Sequence, residues 1–170
     1  MKSATYILIA IVSTIVLASC EKRDYNHGGL PEFENVYYAG YIPNDNSSIS
    51  VTRPQTALIK LPVQFYSSFT RSYDAVANYA IVTTGITNPA VLGQDFNIVD
   101  KNGNVLQPTN GKFSMVFPQA KRLLDTIYIK VLNSSLAGAR KMEVQLQENQ
   151  TEQYTVKIFT TAFRRPVEIK

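Results

Sequence analysis

Apolar side chains return at every second position along most of this chain, and that period limits its folds more than any other feature. Ile59, Leu61, Val63 and Phe65 alternate with Lys60, Pro62 and Gln64. Phe113, Met115 and Phe117 alternate with Ser114 and Val116, and Ile127, Ile129 and Val131 with Tyr128 and Lys130. Met142, Val144 and Leu146 alternate with Glu143, Gln145 and Gln147, and Tyr154, Val156 and Ile158 with Thr155 and Lys157. Successive side chains of a strand point to opposite faces, so each run reads as a strand with one face buried and the other wetted. Turn signals separate the runs, among them Pro43-Asn44-Asp45-Asn46, Thr87-Asn88-Pro89, Thr109-Asn110-Gly111 and Asn133-Ser134-Ser135. No helical stretch of three turns follows Leu30. The expectation is a single antiparallel, immunoglobulin-like β-sandwich of seven to nine strands. Within it, Asp100-Lys101-Asn102-Gly103-Asn104 should form a hairpin turn with Gly103 at positive φ. Pro62 cannot donate to a ladder, which predicts an edge strand or a bulge there.

The sandwich is expected over residues 32–170, about one domain's worth of chain. Residues 1–19 read as a signal peptide: Lys2 precedes the apolar run Tyr6 to Leu17, and small residues follow it. The run is too short to span about 30 Å of hydrocarbon, which takes roughly 20 apolar residues. It ends in Leu17-Ala18-Ser19-Cys20, which resembles the lipobox of bacterial lipoproteins. The resemblance implies cleavage between Ser19 and Cys20 and acylation of the Cys20 thiol, so that the membrane is held through lipid on Cys20. Each buried methylene adds about 0.8 kcal/mol, and more than one chain makes such an anchor stable. Residues 20–31, polar and Gly-rich, then read as a tether.

Cys20 is the only cysteine, so no disulfide, redox pair or Cys-ligated zinc is open to the mature domain. The one histidine, His27, lies in the tether without partner ligands nearby. Loss of Lys2 with the leader takes the seventeen Lys and Arg down by one, against thirteen Asp and Glu, a net charge near +3. The basic pairs Lys121-Arg122, Arg140-Lys141 and Arg164-Arg165 are scattered, which argues against nucleic acid as a partner. Outside the tether no His or Cys is available for catalysis, and no Gly-rich phosphate loop occurs. Glycoside hydrolysis needs two facing carboxylates; Glu143, Glu148, Glu152 and Asp125 could be drawn into pairs, but Glu143 lies on the polar face of a strand and is most simply a solvated charge. No enzyme, cofactor or metal is expected.

The element order Gly93-Gln94-Asp95-Phe96, then Phe113 to Pro118, then the Ile/Val strand after Asp125, is similar to the Calx-beta type of sandwich over about residues 55–150. In calcium-binding members an acidic cluster follows that Ile/Val strand. Here Asn133 to Lys141 carries no carboxylate and two cations, so calcium is not expected, and Asp95 and Asp100 read as turn caps. With the lipobox, the chain resembles small lipoproteins of the Bacteroidota. The charges of Glu21 to Asp24 loosely resemble the signal that sends such proteins to the outer face of the outer membrane, and either face of that membrane is compatible. Asp125-Thr126-Ile127 matches the Asp-Ser/Thr-aliphatic pattern that these bacteria O-glycosylate at the position of Thr126; a plain strand start fits it as well.

Two functional readings follow. In one, the domain is a non-catalytic accessory module that contacts an envelope protein, with an outer-membrane glycan-uptake system as the setting the resemblance implies. In the other, it binds glycan directly through a face bearing Tyr37, Tyr41, Tyr66 and Tyr73; the plain structural reading of the tyrosines is that Tyr38 and Tyr79 lie inward on strands while the rest cover sheet edges. Exposed coplanar tyrosines would favour glycan; an uncovered apolar patch or bare edge strand would favour protein. Completion by a donated strand, as in a fimbrial subunit, is not expected, because Phe159 to Ile169 can supply the last strand.

Overall fold

The computed structural model describes residues 34–133 and 138–170. Its compact unit runs from Asn35 to Lys170. Eleven strands form two sheets: β1 (Val36–Tyr41), β2 (Ile49–Val51), β3 (Ile59–Tyr66), β4 (Ala75–Val82), β5 (Phe96–Val99), β6 (Phe113–Phe117), β7 (Leu123–Val131), β8 (Arg140–Gln147), β9 (Asn149–Gln150), β10 (Thr155–Ile158) and β11 (Arg164–Ile169). One sheet has the order β5-β7-β3-β1-β10-β9 and the other β2-β11-β8-β4-β6. Among the described residues the only helical element is a 3-10 turn over Pro118–Ala120. The architecture is the expected all-β, immunoglobulin-like sandwich; β2 and β9, of three and two residues, take the strand number above nine. Its ladders are antiparallel except at β1 with β10 and β2 with β11.

The two-residue period builds the core directly. Leu61, Val63 and Phe65 of β3 and Ile127, Ile129 and Val131 of β7 face Met142, Val144 and Leu146 of β8 across the sandwich, all buried. Phe65 and Phe117 stack at 4.4 Å between ring centres and join the two sheets. Each such side chain contributes about 1.5–3 kcal/mol on leaving water. The Asp100–Asn104 turn also forms as expected: Gly103 has φ +88°, and the Asp100 carboxylate accepts from the backbone N–H groups of Asn102 and Asn104. Asp95, fully buried, accepts from Val91 N–H and closes the Val91–Asp95 turn, so both carboxylates cap turns.

Two expectations are corrected. Pro62 lies in β3, near the centre of its sheet rather than at an edge. A strand residue aims its nitrogen and its carbonyl to the same side, and Pro62 accepts from Ile42 N–H just past the end of β1. The missing donor therefore falls where that ladder stops. In β1 the phase is the reverse of the expected one: Ala39 and Tyr41 pair with inward-facing Phe65 and Val63, which puts Tyr37 and Tyr41 in the core and Tyr38 outside. Two adjacent tyrosines conceal the phase in sequence. Arg165, read in the sequence only as one member of a scattered basic pair, is buried. It shares its phase with Val167 and Ile169 and is 2% exposed.

At that position Arg165 clasps the loop after β1. Its guanidinium donates to the carbonyls of Pro43 and Asp45, lies 2.9 Å from the Asp45 carboxylate, and sits 4.9 Å from the centre of the Tyr41 ring. The Tyr41 hydroxyl donates across the core to the Val144 carbonyl at 3.0 Å. Arg165→Ala leaves these acceptors unpaired and is expected to cost about 3 kcal/mol, measurable by urea unfolding. Hydrogen bonds from Ser47, then the charge of Arg165, hold the Asp45 carboxyl below its ordinary range. A lowered folded pKa stabilises above the ordinary carboxylate range and is lost as pH falls through the lowered value. The acid limb of the stability profile should therefore flatten in Asp45→Asn.

Candidate functional site

Ser19, Cys20 and His27 lie outside the described residues, as does the stretch 134–137 of the loop in which no calcium is expected. Among the described residues no helix is long and apolar enough to cross a membrane, and no group of three or more His, Cys, Asp or Glu could hold a metal ion.

The tyrosines do not form the expected face. Tyr37 and Tyr41 are core residues at 2% and 0% exposure, because β1 turns them inward. This corrects their assignment to a binding surface. Tyr79 faces inward as expected. Tyr73, half-buried, shares a hydrogen bond of 2.6 Å with the Tyr37 hydroxyl, donates to Asn35 Oδ1 and stacks on Tyr154. Tyr66 is half-buried on the outer side of its sheet. Phe159 packs edge-on against it and stacks on Tyr38, and the Arg122 guanidinium covers its ring at 5.5 Å. The four tyrosines are split between the core, one end of the sandwich and an outer face. Thr126 lies on β7, half-buried, its N–H donating to Asp125 Oδ1 at 2.7 Å.

The two sheets end in β5, β9, β2 and β6, and β6, with five residues, is the longest of these edges. β6 ends its sheet, pairing with β4 on one side and, among the described residues, with no strand on the other. Phe113, Met115 and Phe117 point inward, while Val116 points outward at 52% exposure. On the facing sheet, β5 stops at Val99 opposite Tyr128, so the start of β7 lacks a neighbour on that side. The cause is local: the chain reverses at the Asp100–Asn104 turn and only resumes contact at Val105, opposite Val99. Between β6, β7 and that turn lies a cleft of about 330 Å³. Leu106 and Val116 form its apolar rim; Tyr79, Asp125 and Thr126 lie among its polar lining. Burial first, and then the charge of Asp125, hold the Tyr79 phenol above its ordinary pKa, so it stays protonated at neutral pH. Sequence reading missed the cleft because its parts come from distant strands. The truncation of β5 by a turn directly after it was the available signal.

No family model matches this chain, and no curated protein does. Solved structures resemble it in fold. The apo form of the Calx CBD1 domain is 14% identical with a TM-score of 0.48, over 79% of this chain and 97% of that one. The solution structure of CaCohA2 from Clostridium acetobutylicum is 14% identical with a TM-score of 0.41, over 80% and 92%. The third cohesin ScaC of Acetivibrio cellulolyticus, solved with the ScaB dockerin, is 14% identical with a TM-score of 0.37, over 78% and 98%. Calx-type and cohesin sandwiches are thus structural neighbours.

Proposed function

We propose that this protein is a non-catalytic envelope lipoprotein, held at the outer membrane by lipid on Cys20, whose sandwich docks an extended segment of a partner protein along β6. The observation that carries the docking is the bare edge of β6. An unpaired edge offers a row of N–H and C=O groups that only another extended backbone satisfies well, and proteins that do not use such edges cover or charge them. Here the outward residues of the five-residue strand are Ser114 and Val116, neither charged, and Val116 stands exposed. The polar tether supports the same reading, since a flexible spacer lets an anchored domain reach a partner. The Bacteroidota lipoprotein resemblance and the glycan-uptake setting belong to this proposal as its cellular context.

The test is a photocrosslinking residue in place of Ser114, in cells of the source organism, with and without Val116→Lys. Val116 is exposed, so the lysine should leave folding intact while guarding the edge. A discrete adduct that Val116→Lys abolishes is the expected result. An adduct that persists in Val116→Lys, or no adduct at all, would overturn docking at β6.

A further inference from the structure

The cleft inward of the β6 edge carries polar groups that the fold leaves unused. Tyr79 is 2% exposed and lines the cleft, and its hydroxyl makes no hydrogen bond among the described residues. Its ring is fixed by stacking on Phe113 at 5.3 Å. Asp125, across the sandwich on β7, pairs with no cation among the described residues; one oxygen accepts from Thr126 N–H and the other is free to accept. Asp100 is different. Its carboxylate is taken up by Asn102 N–H, Asn104 N–H and the Asn104 amide. The Tyr79 hydroxyl is not a buried unpaired atom: its oxygen opens into the cleft, and with the half-buried Asp125 carboxylate it offers a ligand polar positions that no side chain of the described residues occupies.

The mixture of groups selects the ligand. Asp125 can only accept, Lys101 can only donate, and Tyr79, Thr126 and the Asn102 amide do both. An ammonium would satisfy Asp125 but face Lys101 and leave every other donor unpaired. A carboxylate or phosphate would meet Asp100 and Asp125. An apolar ligand would strand them all. Hydroxyl groups donate and accept at once, and adjacent ones suit several partners together. We propose that this cleft binds a neutral polyhydroxylated ligand, one sugar ring or the end of a glycan chain. A volume of about 330 Å³ is at the small end for ligand sites. This moves saccharide binding from the sheet-face tyrosines to the flank, and it goes beyond docking at β6.

The experiment is an NMR titration of the full-length protein in detergent with glucose, galactose, mannose, xylose and N-acetylglucosamine, then maltose and cellobiose, with lysine amide as the cationic control. Saturable shifts at the amides of Asn102, Thr126 and Ser114 are expected for at least one sugar. Affinity should fall at least tenfold in Tyr79→Phe and in Asp125→Asn, both close in shape to the native residues. Tighter binding of the disaccharides would identify a chain end, and equal binding a free sugar. Absence of saturable shifts with every sugar, shifts unchanged in a folded Asp125→Asn variant, or tighter binding of lysine amide would each overturn the proposal. Since neither Tyr79 nor Asp125 is on β6, these outcomes are independent of the crosslinking result.

Discussion

Val144→Asp is expected to leave no folded domain: dispersed amide signals should be lost, and the protein should bind dyes that report exposed apolar surface. Val144 is fully buried in β8, between strands β4 and β11, and its own carbonyl receives the Tyr41 hydroxyl. Arg165, paired with Val144 across the ladder, could meet a carboxylate there only by leaving the Asp45 clasp. An unpaired buried charge costs several kcal/mol or forces its own neutralisation. Loss of the valine packing adds to that cost, against a total stability of about 5–15 kcal/mol for a domain. The neighbour makes the control. Glu143, one residue earlier, faces outward and pairs with Arg164 at 3.5 Å. Glu143→Ala should stay folded, with a change within about 0.5 kcal/mol. A folded Val144→Asp protein would mean that the strand phase of β8 is wrong.

That phase was legible because β8 alternates cleanly, with Met142, Val144 and Leu146 against Glu143, Gln145 and Gln147. Wherever one face is apolar and the other polar, as in β3, β6 and β7, sequence and structure agree strand by strand. β1 shows why the rest was hidden. Val36-Tyr37-Tyr38-Ala39-Gly40-Tyr41 has amphipathic rings at adjacent positions and a glycine packed under Phe159, so neither face stands out. The phase is set instead by the partner strand β3. Arg165 was hidden for the opposite reason: its charge spoke for the surface while its spacing from Val167 and Ile169 placed it inside. The cleft is a property of assembly. Tyr79, Asn102 and Asp125 meet only because β5 ends early and two sheets stack, and no local pattern records that.

The second large effect concerns the anchor. Cys20→Ala is expected to release the protein from membranes altogether, since the proposed attachment runs through lipid on Cys20 alone. The change should leave the domain's melting temperature as it is, because Cys20 lies before the compact unit that starts at Asn35. Partial release is not expected. Diacylglycerol and N-acyl chains bury tens of methylenes at about 0.8 kcal/mol each, whereas one chain alone binds membranes reversibly. With alanine at position 20 no thiol is there to be acylated, so the leader is expected to be cut at another bond and the domain released without lipid.

The most direct measurement follows metabolically labelled palmitate and membrane fractionation together, in wild type and Cys20→Ala, with the mature N-terminus read by mass spectrometry. Wild-type protein is expected in the membrane fraction, labelled, beginning at Cys20, and the variant unlabelled and free of membranes. An unlabelled wild-type protein, or a variant that stays with the membrane, would contradict it.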